Sequence, residues 1–193
     1  MSNRASALGT DFAPGKFGNM SNGVGVKLSE TNFGFIGELA SFTPDETDKL
    51  IASLRKSLDS KDISAAFKIA PNRWFLSGTE SLRDAIISKV KPDEASLFDL
   101  THGRSSFLIA GEKATWVLAK LFPIDFHLSE FPIDTGLATT HHGTFTQIYR
   151  ADENTFDLFV FRSFARSFWH TLSTASTEVG YVVECVFDAL PAT

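Results

Sequence analysis

Apolar positions in this chain follow two rhythms, and the order in which they alternate predicts the elements. "FGFIGELASF" (33–42) alternates as a strand does. "TPDETDKLIASLRKSL" (43–58) then shifts to a helical period, with Leu50, Ile51, Leu54 and Leu58 on one face. Its start carries Thr43 at the N-cap, Pro44 in the first turn and Glu46 three residues on, the spacing of a capping box. "ISAAFKIA" and "RWFLSG" read as a strand pair across the turn "PN". Thr79 opens a second helix with Leu82, Ala85, Ile86 and Val90 inward, and "ASLFDLT" closes the set as a strand.

The same order returns downstream. "RSSFLIAG" is a strand, and "EKATWVLAKLF" a helix that Pro123 ends. "GTFTQIYR" and "TFDLFVF" form a hairpin across "ADEN". "RSFARSFWHTLSTASTEV" is a helix capped by Gly180, and "YVVECVF" the last strand. The residues differ between halves, so only the pattern recurs. It predicts an α+β fold of two fused βαββαβ (ferredoxin-like) units, about 33–101 and 104–187, in one globular domain over 31–193. The sheets are expected to be antiparallel, with helices on one face of each. In "TFDLFVF", Phe156, Leu158 and Val160 share one face while Phe159 and Phe161 take the other. The helix-free face must therefore meet the other sheet or a second protein. Residues 1–30, rich in Gly, Ser and Asn and without periodicity, read as an extended or disordered N-terminal arm.

Composition narrows the function. Nineteen Phe residues are a heavy share for 193 positions and imply extensive buried surfaces. Acidic residues outnumber basic ones, 23 to 18, and no Lys/Arg cluster occurs, which argues against a nucleic-acid partner. No apolar run approaches a membrane span, and the N-terminal residues show no apolar core after their charges, so no secretory signal is expected among them. The single cysteine, Cys185, rules out a disulfide within the chain; a reducing, cytoplasmic setting is the expectation.

Reactive-looking residues gather at 99–106. Asp99, His102, Ser105 and Ser106 invite a hydrolase reading, but no G-x-S-x-G turn is present and both serines open an apolar strand. Asp99 beside Gly103 better suits a tight turn in which a short acid bonds nearby amides. His141 and His142 are expected on a strand, facing opposite ways, so they cannot chelate one ion, and no metal-ligand spacing occurs elsewhere. "IAGEKA" joins strand to helix with one glycine, too few for a dinucleotide fingerprint. Trp116, between Lys113 and Lys120, projects away from the inward stripe Ala114, Val117, Leu118 and Leu121, which marks it as an interface candidate.

"DLTHGRSSFLIAGEKATWVLAKLFPIDFHLSEFPIDTG" (99–136) resembles the signature region of the gamma subunit of heterotetrameric sarcosine oxidase. The likeness lies in Asp99 to Arg104 before an apolar strand ending at Gly111, then Pro123 to Asp125 and Phe131-Pro132. "FDLFVFRSFARSFWHTL" resembles that family's later segment. A wider kinship, to the folate-binding fold of the glycine cleavage T-protein, agrees with the doubled pattern. The resemblance implies a non-catalytic subunit of a complex that demethylates sarcosine to glycine, passes the carbon to tetrahydrofolate and forms hydrogen peroxide. It implies alpha, beta and delta subunits as partners, with FAD, FMN, NAD and tetrahydrofolate on the partner chains and no cofactor here. Asp99, His102, Gly103 and Arg104 would then frame a turn, with Arg104 free for a salt bridge within or between subunits. Alternatives are the equivalent subunit of an N-methylglutamate dehydrogenase, or a stand-alone folate-binding, aminomethyltransferase-like module. The chain lacks a lysine-glycine-cysteine motif and the further domains of an aminomethyltransferase, which disfavours the last.

Overall fold

The computed structural model describes residues 5–9 and 13–184. Two strands, β1 (Gly15–Phe17) and β2 (Val26–Thr31), come first. Then follow β3 (Phe35–Ser41), α1 (Pro44–Ser57), β4 (Ile63–Ala70), β5 (Arg73–Gly78), α2 (Glu80–Lys89) and β6 (Ala95–Asp99). β3 to β6 make an antiparallel sheet in the order β4-β5-β3-β6, the arrangement expected of a βαββαβ unit. Phe35 and Leu39 of β3 pack with Ile51 and Leu54 of α1 and with Leu82 and Ile86 of α2, so both helices cover one face. Thr43 occupies the N-cap position of α1 but makes no side-chain capping hydrogen bond. The expected capping box does not form; Pro44, which has no N–H to satisfy, and the buried helix face carry the start instead.

The second half comprises β7 (Arg104–Ala110), α3 (Ala114–Leu121), β8 (Thr135–His141), β9 (Thr144–Asp152), β10 (Thr155–Phe161), α4 (Ala165–Ser176) and β11 (Tyr181–Val183). Its sheet runs β1-β11-β2-β7-β10-β9-β8, and α3 and α4 pack on one face around Phe107, Val117, Leu158, Phe168 and Leu172. The proposed end of the last strand, including Cys185, lies outside the described residues.

Two features correct the sequence reading. The supposed arm supplies β2, which lies inside the larger sheet, antiparallel to β7 and parallel to β11. "VKLSET" hides its strand character because Ser29, Glu30 and Thr31 are polar yet buried. Some of their polar groups are met locally, although the Thr31 hydroxyl is buried without a hydrogen-bond partner. Ser106 donates its hydroxyl to the Thr31 carbonyl at 2.8 Å. Glu30 accepts the Ala7 N–H at 2.9 Å and the Ser6 hydroxyl, drawing residues 6–8 onto the fold and burying Leu8. The second correction concerns His141 and His142. His141 ends β8, whereas His142 (φ 45°) and Gly143 (φ 81°) form the two-residue turn into β9. Positive φ at both positions is what a tight hairpin of this hand requires, and it brings the two imidazoles to 4.2 Å between ring centres.

The helix-free faces meet each other. Phe33, Ile36, Ala65, Phe67 and Phe75 from the first half pack against Tyr149 and Phe159 from the second. Phe75 and Phe159 lie 4.8 Å apart, Phe33 and Phe159 5.6 Å, and Phe67 stacks on Tyr149 at 5.9 Å. The layers therefore run helices, sheet, sheet, helices. Gly136 of β8 lies under Phe67 so closely that an added Cβ would sit 2.5 Å from its ring.

Asp157 of β10 also lies in this layer. It is 6% exposed, and its cross-strand neighbours are Leu108 and Tyr149. Burial pushes its carboxyl up to about 7. The unfolded chain ionises near 3.8, so the folded state holds more protons between those values, and stability falls as pH rises through that window. The full cost, on the order of 4 kcal/mol, is reached above the folded value. Asp157→Asn should accordingly raise the melting temperature clearly at pH 8 and little at pH 4; an equal effect at both, by calorimetry, would refute the buried-carboxylate account. Gly136→Ala should lower stability by about 1–3 kcal/mol through overpacking, seen as a lower urea midpoint at unchanged slope.

Candidate functional site

The 99–104 loop is built by its own hydrogen bonds. The Thr101 N–H donates to Asp99 Oδ1 at 3.0 Å, closing an Asx-type turn. The Thr101 hydroxyl accepts the Ile36 N–H at 3.1 Å and reaches the Ile36 carbonyl at 3.3 Å. The Leu100 carbonyl accepts from Gly103 (2.8 Å) and Arg104 (3.0 Å), and the Gly103 carbonyl accepts from Arg162 (3.0 Å). The loop thereby ties β6 and β3 of one sheet to β7 and the end of β10 in the other. Gly103 is not demanded by backbone conformation: its φ is not positive, and an added Cβ would make only an ordinary 3.5 Å contact.

Asp99 also pairs with Arg83, Nε to Oδ2 3.2 Å. Burial works to raise its carboxyl, but the Thr101 hydroxyl and amide, Arg83 and His102 outweigh that and hold it below the usual carboxylate range. His102 is exposed and makes no hydrogen bond among the described residues. Arg104 is 4% exposed, with Nη2 3.8 Å from Glu38 Oε1 and the guanidinium 3.8 Å over the Phe161 ring. Glu38 is also paired with Arg73. Burial holds the Arg104 guanidinium below its ordinary value while Glu38 works in the opposite direction. The salt bridge expected of Arg104 thus lies inside this chain.

The serines are not set up as nucleophiles. Ser106 donates to Thr31, and Ser105 Oγ is buried without a hydrogen-bond partner. The strand-to-helix glycine, Gly111 (φ 132°), is closed by the chain itself: an added Cβ would lie 2.5 Å from the Gly25 carbonyl, which also accepts the Lys113 N–H. A pyrophosphate would have to displace that segment. Among the described residues no group of three or more His, Cys, Asp or Glu is placed to hold a metal ion, and no helix is long and apolar enough to cross a membrane.

Trp116 lies on the outer side of α3, 40% exposed, with Lys120 Nζ 4.1 Å over its ring. Lys120 is itself held by Glu178 at 2.9 Å. Sequence reasoning missed a further group. Arg55, Asp134 and Tyr149 meet at a cavity of about 250 Å³ between the two halves. No local motif marks it, because its residues come from α1, the approach to β8, and β9.

Asp99→Ala should cost about 1 kcal/mol at pH 7 through the lost turn hydrogen bond and ion pair. Since the native carboxyl titrates below its unfolded value, this difference should be present above pH 4 and shrink on acidification. His102→Ala should stay within about 0.5 kcal/mol of wild type. Urea titrations at pH 7 and pH 3 check both, and a larger loss for His102→Ala would overturn the assignment.

The fold has solved counterparts. A chain of the heterotetrameric sarcosine oxidase from Corynebacterium sp. U-96, in complex with pyrrole 2-carboxylate, superposes with a TM-score of 0.67 at 20% identity, covering 80% of this chain and 85% of that one. The glycine cleavage system aminomethyltransferase T from Bartonella henselae gives 0.55 at 14% identity, over 84% of this chain and 48% of that one. This chain thus spans about half the length of the aminomethyltransferase. No curated protein sequence matches. The family model described as sarcosine oxidase, gamma subunit family, matches residues 49–178, and with most of its length so matched the chain belongs to that family.

Proposed function

We propose that the chain is a non-catalytic structural subunit of a heterotetrameric sarcosine oxidase, bound to alpha, beta and delta chains. The complex oxidises the N-methyl group of sarcosine, releases glycine, passes the carbon to tetrahydrofolate and returns the electrons to oxygen as hydrogen peroxide. FAD, FMN, NAD and tetrahydrofolate are assigned to the partner chains. Family membership supports the assignment to the complex. The structural role rests on the 99–104 loop. Asp99 and Thr101 fix the turn against α2 and β3, Gly103 and Arg104 join it across the two sheets, and His102 is left as the outward side chain.

Trp116 is the proposed contact. Covering its remaining exposed surface, on the order of 100 Å², would contribute about 2 kcal/mol to association. Trp116→Ala should leave the melting temperature of the lone chain nearly unchanged while weakening binding to co-expressed partners about tenfold to a hundredfold. A loss of stability in the lone chain with association intact would place Trp116 in this subunit's own fold. The lone chain should show no flavin absorbance after gel filtration and no sarcosine-dependent peroxide, whereas the co-expressed complex should show both; a flavin retained by the lone chain would defeat the structural-subunit reading.

A further inference from the structure

The cavity between the halves carries two opposite charges over an apolar floor. Its polar end holds Arg55, Asp134 and the Tyr149 hydroxyl; its floor is Leu58, Ile63 and Ala66. Tyr149 donates to Asp134 Oδ1 at 2.5 Å. Burial, together with that hydrogen bond and the Asp134 charge, pushes the phenol above its ordinary value, so it remains a donor. Asp134 is held in the left-handed region (φ 62°) while its N–H donates to the Arg150 carbonyl at 2.9 Å, so its backbone is fixed in place.

The two charges meet only in a loose, solvent-exposed ion pair. Arg55 Nη1 stands 3.5 Å from Asp134 Oδ2, too far for a hydrogen bond, and both side chains remain part-exposed. Arg55 Nη2 donates to the Ala66 carbonyl at 3.3 Å, which accounts for one of five guanidinium N–H groups. Asp134 has four lone-pair sites, and Tyr149 occupies one.

We propose that this cavity binds a small zwitterionic amino acid, its carboxylate on Arg55, its ammonium on Asp134 and its short aliphatic side chain on Leu58, Ile63 and Ala66. A simple carboxylate would meet repulsion from Asp134 and from Asp59, which also lines the cavity. A simple amine would meet Arg55. A zwitterion matches both. The volume of about 250 Å³ equals the liquid-volume share of about eight waters, room for a small amino acid. Because α1 and β4 supply one wall, and Asp134 just before β8 together with Tyr149 of β9 the other, the bound molecule would bridge the halves and stabilise their joint.

Titration of the purified full chain with glycine, alanine and valine, followed by calorimetry and thermal melting, tests this. Valine should bind at about millimolar concentration and raise the melting temperature. Isobutyrate and isobutylamine, each carrying one of the two charges, should bind at least about tenfold more weakly, since each leaves one cavity charge unmet. Arg55→Gln and Asp134→Asn should each weaken valine binding by about tenfold or more; Asn tolerates the left-handed backbone, so the second variant should fold. Melting curves without ligand confirm folding of both variants. No binding of any amino acid at about 50 mM, equal binding of isobutyrate, or undiminished binding by both variants would each overturn the proposal.

Discussion

The contact between the two sheets governs the rest of the molecule. Each sheet presents one face to its helices, and the other would be an aromatic surface in water were it not for its counterpart. Phe67, Phe75, Tyr149 and Phe159 interlock there, with Gly136 giving Phe67 the space it needs. Offset and tilted rings of this kind contribute about 0.5–1.5 kcal/mol per pair beyond the area they bury. The large Phe content finds its use mainly here and under the helices. The polar residues that share the layer are confined by it: Glu38 and Arg104 beside Phe161, and Asp157 flanked by Leu108 and Tyr149.

Seen from that contact, the 99–104 loop acts as a strap. It is the short crossing from β6 to β7, and its hydrogen bonds reach both sheets. A reactive-looking cluster of Asp, His, Ser and Arg thus owes its composition to the geometry of a crossing. A short acid starts the turn, a threonine hydroxyl clamps β3, and an arginine turns inward to Glu38.

Local patterns were legible wherever the structure is local. β3 to β6 and α1 and α2 follow from alternation and helical period, and the Asp99 turn follows from its residues. β2 was not legible, because three consecutive polar residues become buried only through strands β7 and β11, which lie far along the chain. β8 was missed because "TGLATTH" is a half-buried edge strand whose faces differ little in polarity. Capping spacing at Thr43 and Glu46 suggested a hydrogen bond that does not form, since spacing sets reach and not rotamer. The Arg55–Asp134–Tyr149 group had no signal at all: an exposed helical arginine and a loop aspartate look ordinary until folding brings them together.

The placement of β2 sets an order of events for the newborn chain. This strand leaves the ribosome before either of its neighbours, and β11 follows only at the far end of the described residues. The four-stranded sheet can close early from nearby partners, while the seven-stranded sheet stays incomplete beside β1 until β11 arrives. Until β7 emerges β2 offers two unpaired edges, and until β11 emerges one, which favours chaperone protection or rapid capture by another chain. A cut at the 99–104 loop would likewise fail to yield two independent halves, because the strand that completes the second half is covalently part of the first.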